Sequence, residues 1–254
     1  MLRWMTFSVT RILGALICVA LATMGFAQSQ QTASANAERT IAERLAREGD
    51  DYDARVAVLT MTERELAARQ DRETSARLSL LRLRALARVL EKIPFGKGQD
   101  QPYVAFLRAN YGRWDYDEPG GAWLVRHEAI VALHDEYHDT KAAEPIAWFM
   151  LKTGLEGECE GYLACYVRCR NALDGKYLRW HPDGAHAIEV VAGVKSLLES
   201  LSSGMLPPDS FDPRHDCKEL MDAVVPLRAA VSATRSPDRS VVIAGLDKLA
   251  TPCR

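Results

Sequence analysis

The stretch from Gly157 to Ala187, GECEGYLACYVRCRNALDGKYLRWHPDGAHA, constrains the fold more than any other. From about Gly161 to Trp180, Tyr162, Tyr166, Cys169, Leu173, Tyr177 and Trp180 recur at three- and four-residue steps, the period of one apolar helical face. His181-Pro182-Asp183-Gly184 stops that helix, because proline disfavours helical geometry in the residue before it and Asp-Gly favours a turn. A second stripe follows at once: Ala187, Val190, Val191, Val194, Leu198 and Leu201, ending at Gly204. Two amphipathic helices joined by so short a turn are expected to bury their faces against each other as an antiparallel hairpin.

This junction, Tyr177-Leu178-Arg179-Trp180-His181-Pro182-Asp183-Gly184 reopening at Ala185-His186-Ala187, resembles the helix-to-helix junction of tetratricopeptide-like scaffolds in bacterial envelope proteins. With Gly157-Glu158-Cys159-Glu160-Gly161-Tyr162 and Cys165-Tyr166 ahead of it, the string resembles a group of uncharacterised secreted bacterial helical proteins. The resemblance implies a helical scaffold and no activity, and no second copy recurs at a fixed period. The expected fold class is all-α: stacked antiparallel helical hairpins, tetratricopeptide-like or an irregular helical array, pinned by disulfides.

The rest of the chain reads the same way. Residues 1 to 27 have the form of a secretory signal, with Arg3 and Arg11 giving a positive n-region ahead of an apolar run from Ile12 to Phe26 and a small-residue site at Gly25-Phe26-Ala27. Export to the bacterial periplasm or medium is therefore expected, with a flexible N-terminus from 28 to 36 and no membrane span after cleavage. Removing two arginines from 32 Lys plus Arg leaves 30 against 34 Asp plus Glu, a net of −4, and no basic field for nucleic acid. An N-terminal helical hairpin is expected over 37 to 95, with Leu80, Leu83, Leu86, Leu90 and Ile93 buried and Arg77, Arg84 and Arg88 on the opposite, solvated side. Pro94 to Pro102 is rich in turn residues and separates it from a C-terminal helical module over 102 to 254. Gly96-Lys97-Gly98 lacks the first glycine, the hydroxyl and the preceding strand of a phosphate loop.

Two candidate metal motifs occur. Asp115, Asp117 and Gly120 match the first, third and sixth positions of a calcium loop, but Pro119 and Arg126 stand where ligands are needed, so a tight acidic turn capping the next helix is the better reading. That helix is expected over Ala122 to His138, with Trp123, Ile130, Leu133 and Tyr137 buried and His127, His134 and His138 along the border. His127 and His138 are about 16 Å apart along such a helix, so only His134 and His138 could chelate one ion together. Glu136 does not follow either histidine as the metalloprotease pattern requires, and a third ligand would come from another element.

Export permits disulfides, and five cysteines follow residue 27: Cys159, Cys165, Cys169, Cys217 and Cys253. Cys159 and Cys165 flank the loop entering the central helix, and Cys217 and Cys253 lie at opposite ends of the last two helices, so pairs 159–165 and 217–253 are expected, with Cys169 a buried free thiol. Cys165 with Cys169 at i+4, leaving Cys159 free, stays open as the competing arrangement. With no nucleophile and base, phosphate loop or cofactor motif, the expected function is an exported helical scaffold that binds a protein or peptide partner in the cell envelope. The alternative is a periplasmic metal-binding protein or metal-dependent hydrolase using His134 and His138.

Overall fold

A computed structural model describes residues 35–68, 71–204, 206–207 and 210–254. The expected signal segment and most of the flexible N-terminus lie outside the described residues. The protein is mostly α-helical, with one two-stranded sheet: α1 (35–45), α2 (Tyr52–Ala67), α3 (Arg72–Leu90), α4 (Tyr103–Ala109), β1 (Trp114–Asp117), β2 (Ala122–Val125), α5 (His127–Tyr137), α6 (Ala143–Thr153) and α7 (Leu163–Arg170). A π-helical segment (Asn171–Gly175) leads into α8 (Lys176–Trp180), followed by α9 (Ala187–Ser202), α10 (Pro213–Ser232), α11 (Arg239–Leu249) and a 3-10 turn (Thr251–Cys253). Among the described residues no helix is long and apolar enough to cross a membrane.

The chain divides into two compact units, residues 1–85 and 86–254. The division falls inside α3, not at the Pro94–Pro102 turn region, and every residue of the expected leucine stripe, Leu80 to Ile93, is buried. In the first unit Asp51 caps α2 by accepting the Ala54 amide at 2.9 Å. Arg77 of α3 pairs with Glu38 of α1 through Nε at 2.8 Å, so this arginine is engaged and not merely solvated. Arg55, only 3% exposed, donates through Nη1 to the carbonyls of Leu45 (3.2 Å) and Arg44 (3.4 Å) and through Nη2 to that of Arg47. These are the acceptors a helix end leaves without intrahelical partners.

In the second unit α10 is the central element, packed on α7, the π segment, α8 and α11. Leu220, Val224, Leu227 and Val231 repeat along it and are each at most 2% exposed. Pro226 is accommodated within that helix. The expected pairing of the 187–201 stripe back onto the helix before it is corrected: α9 packs chiefly on α11, and α7 with the π segment packs on α10. Gly245 makes the first contact close, since a Cβ there would lie 2.9 Å from Leu198. A periodic stripe specifies that a face is buried and leaves its partner undetermined.

Two further expectations are corrected. The helix expected from Ala122 starts at His127, because Trp114–Asp117 pairs antiparallel with Ala122–Val125 as a β-hairpin in the register Trp114↔Val125 and Tyr116↔Trp123. Alternation then puts Trp114, Tyr116, Trp123 and Val125 on one face and Asp115 and Asp117 on the other. The acidic turn does not cap α5, whose N-terminus carries no side-chain cap bond. Instead Arg126 pairs with Asp115 (Nη2 to Oδ1, 2.6 Å), and Asp117 accepts the Gly157 amide at 2.8 Å. Second, the buried line of α7 is Ala164, Cys165 and Val167 rather than Tyr162, Tyr166 and Cys169. The π segment supplies the reason: its extra residue per turn shifts the face of the helix partway along, so one period does not run from 161 to 180.

Candidate functional site

Three groupings of chemically capable side chains lie in the second unit. The first is a histidine cluster at the α8–α9 junction. His134 of α5 is 3% exposed, stacks on Trp180 at 3.6 Å between ring centroids, and places Nε2 3.1 Å from Nε2 of His181. His181 also hydrogen-bonds the Ala143 backbone. One of the two Nε2 atoms donates and the other accepts, according to the tautomers of the two rings. His134 Nδ1 is buried and lies 3.6 Å from Oδ1 of Asp135, beyond hydrogen-bond distance.

The junction itself is held from α6. Glu144 accepts from the Tyr177 hydroxyl at 2.7 Å and from the Ala185 amide, while the same hydroxyl accepts the His186 amide at 3.3 Å. Burial opposes ionisation of Glu144, but the Tyr177 and Ala185 hydrogen bonds outweigh it and hold the carboxyl below its ordinary range. Burial, reinforced by the Glu144 carboxylate, pushes the Tyr177 hydroxyl far up. A Cβ on Gly184 would lie 2.6 Å from Glu144 Oε1 and 2.7 Å from the Tyr177 hydroxyl, so the turn requires glycine for space. His186 stacks on Trp148 at 3.6 Å, placing that indole beside the junction.

Of the two histidines nominated for a metal, His134 faces His181 while His138 is exposed and turns Nδ1 to the Asp135 carbonyl of its own turn at 2.9 Å. They are not brought to one point. His127 is half-buried, and its Nδ1 has no partner. His181 was not singled out by sequence, for its partner is 47 residues away and only the fold joins them.

Burial pushes the imidazoles of His127, His134 and His181 down, the Lys176 ammonium adding to the effect at His127 and the Asp135 carboxylate partly opposing it at His134. Their folded-state values are below the unfolded one, so the stability tied to the neutral rings is present above about pH 6.5 and is lost as pH falls toward the folded values. Urea unfolding at pH 7.5 and pH 5.5 should show a loss of stability at the lower pH, at most about 1 kcal/mol per depressed histidine. His134→Phe, which keeps an aromatic ring against Trp180, should flatten the slope; parallel lines for the two proteins would reject the assignment.

The second grouping is aromatic. Tyr111, Trp114, Trp123 and Tyr116 form a continuous chain of ring contacts with centroids 6.4, 4.7 and 4.7 Å apart. Phe95 lies over the hairpin turn, where a Cβ on Gly121 would be 2.5 Å from its ring. Gly98 of the rejected phosphate-loop string has a local purpose: Trp123 lies against it, 2.3 Å from where a Cβ would be. Phe95 and Tyr111 are 75% and 81% exposed.

The third grouping is made of sulfur. Cys159–Cys165 and Cys217–Cys253 are disulfides, and Cys169 is the free thiol. Cys169 is half-exposed, not buried as the expected stripe required, and its Sγ lies 3.8 Å from that of Cys159 and 4.0 Å from that of Cys165. Four-residue spacing on α7 puts Cys165 and Cys169 side by side. Cys159 is brought to them by the Gly157–Gly161 loop, which is tied down by Tyr162. That hydroxyl donates to Asp216 of α10 at 2.6 Å, and this bond first, with desolvation, raises it to about 12. Arg168 points Nη2 at Cys165 Sγ from 3.7 Å and holds Glu219 through Nη1 at 2.6 Å. Among the described residues this is the one place where three metal-capable groups converge, all within 4.8 Å. Three thiolates could supply a soft ion with three tetrahedral corners, whereas the bonded pair is closed to ligation.

No protein-family model, curated protein or solved structure matches this chain.

Proposed function

We propose that the protein is an exported helical scaffold of the bacterial envelope that binds a polypeptide partner through its β-hairpin. The observation that carries this reading is the chain of ring contacts Tyr111, Trp114, Trp123 and Tyr116, with exposed Phe95 over the turn of the same hairpin. Exposed aromatic rings are enriched in binding surfaces, because each offers a large contact area with few torsions to freeze. The hairpin also pairs only with itself among the described residues, leaving outer strand edges to which an extended peptide could add. Signal-like residues 1 to 27 and two disulfides support the compartment.

A photoreactive side chain placed at position 95 or 111 in the native host should yield a discrete crosslinked adduct. The same group at position 218 on α10, where Lys218 is exposed, should not. Adding Phe95→Ser to the position-111 probe should reduce the adduct at least about fivefold, the effect expected of losing one aromatic anchor. Equal adducts at 95, 111 and 218 would remove the proposal.

A further inference from the structure

We infer that Cys159, Cys165 and Cys169 form a thiol–disulfide exchange centre, in which the free thiol of Cys169 can displace a member of the neighbouring bridge. This is independent of the partner-binding reading. Exchange needs an attacking thiolate, a disulfide within reach, and a leaving sulfur whose negative charge is stabilised. Cys169 supplies the first and is half-exposed, so water or a buffer base can take its proton. Its Sγ is nearly equidistant from the two bonded sulfurs, at 3.8 and 4.0 Å, which is contact distance. Equidistance puts the thiol beside the bond instead of on its axis. Attack therefore requires a rotation that brings three sulfurs into line, and Cys159 is the member able to make it, since it lies on a loop between Gly157 and Gly161 while Cys165 is fixed within α7.

Arg168 sets the direction. When the Cys169 thiolate attacks Sγ of Cys159, the Cys159–Cys169 bond forms and the Cys159–Cys165 bond breaks. The electron pair departs on Cys165, whose sulfur is 3.7 Å from the Arg168 guanidinium. A nearby cation stabilises a thiolate and so makes Cys165 the better leaving group. The proton lost by Cys169 is balanced by the one Cys165 later takes from solvent. One bond replaces another, no net oxidation occurs, and no outside oxidant is needed. Attack on Cys165 would instead expel Cys159. Outside the molecule, a small thiol of the glutathione class is the matching reagent: its thiolate attacks half-exposed Cys159 to give a mixed disulfide, Cys165 leaves, and Cys169 then displaces the small thiolate. The outcome is again the Cys159–Cys169 bridge.

The experiment uses purified oxidised protein held at pH 8, and in parallel at pH 5, without reductant. Samples are quenched in acid, unfolded, alkylated with N-ethylmaleimide and digested without reduction. At pH 8 the label should divide between Cys169 and Cys165, with roughly a tenth or more of chains carrying the Cys159–Cys169 bridge. At pH 5 the division should be reached much more slowly, because exchange runs through a thiolate. Arg168→Gln should slow it several-fold, and 1 mM reduced glutathione should speed it. Cys217 and Cys253 should remain unlabelled, which shows in the same digest that exchange stayed within the three-cysteine cluster. Label confined to Cys169 after a day at pH 8, with or without glutathione, would overturn the inference, and no variant has to fold for that result to be read.

Discussion

Arg55→Ala is expected to lower the stability of the first unit by about 3–4 kcal/mol, the loss typical when a buried charged partner is deleted and its acceptors are left behind. The guanidinium is nearly inaccessible and serves the carbonyls of Arg44, Leu45 and Arg47 where α1 ends. Asp50 supplies its counter-charge from 4.0 Å. Without the fork those carbonyls face a cavity, and the end of α1 should open. Arg55→Met keeps most of the volume but no donor, so it should recover less than half of the loss; full recovery would show that packing, not hydrogen bonding, is what the arginine contributes. Hydrogen exchange of the amides in residues 35–45 is the suitable measurement, because it reads this helix whatever the second unit does. Protection unchanged within tenfold in Arg55→Ala would rule the role out.

The second large effect concerns the C-terminus. Removing the Cys217–Cys253 bridge by Cys217→Ser with Cys253→Ser should cost about 3–4 kcal/mol in the chain-entropy account. The bridge joins the first turns of α10 to the 3-10 turn across a sequence separation of 36. The contacts that remain there are weaker. Arg228 and Arg254 both reach Asp247, at 3.0 and 2.7 Å, but the three side chains are 31 to 58% exposed and such pairs contribute little in water. The urea midpoint monitored by circular dichroism should drop without a change in slope. A shift worth less than 1 kcal/mol would mean that the α10–α11 packing already holds the terminus closed.

The sequence was most informative where one local pattern decides the outcome. The leucines of α3 and the valines of α9 are buried as their spacing requires, since a helix with one apolar face has only one face to hide. Ser236 ahead of Pro237 and Asp238 reads as cap, first position and first turn of a helix; a helix does follow, but it begins at Arg239 with Asp238 at its cap position, and Ser236 accepts the Asp238 amide at 3.3 Å in the turn before it. The hairpin was hidden for an opposite reason. Trp123, Ile130, Leu133 and Tyr137 fit a helical period so well that the two-residue alternation of Trp114-Asp115-Tyr116-Asp117 was outweighed, though that alternation was the available signal.

What remained illegible is long-range. Nothing local says that α9 meets α11, that His181 meets His134, or that Glu144 reaches across to hold Tyr177 and Ala185. The cysteines are instructive because spacing left two arrangements open, and the fold sets Cys169 within contact of both bonded sulfurs. The ambiguity in the spacing and the proximity of the sulfurs have one origin: a loop residue and two residues one helical turn apart.

The π-helical segment at Asn171–Gly175 acts as a phase shifter. An α-helix cannot aim Cys165 and Val167 at α10 and also set Trp180 beneath His134 unless its angular advance is corrected between them, and a single additional residue in the winding makes that correction. The same residues wound as a plain α-helix would make a smoother rod. Everything from Lys176 onward would then be turned by about 100°, swinging the Tyr177 hydroxyl off Glu144 and the Trp180 indole off His134. The winding of this segment, more than the identity of most side chains in it, is what keeps the sulfur end and the histidine end of one continuous helix in register.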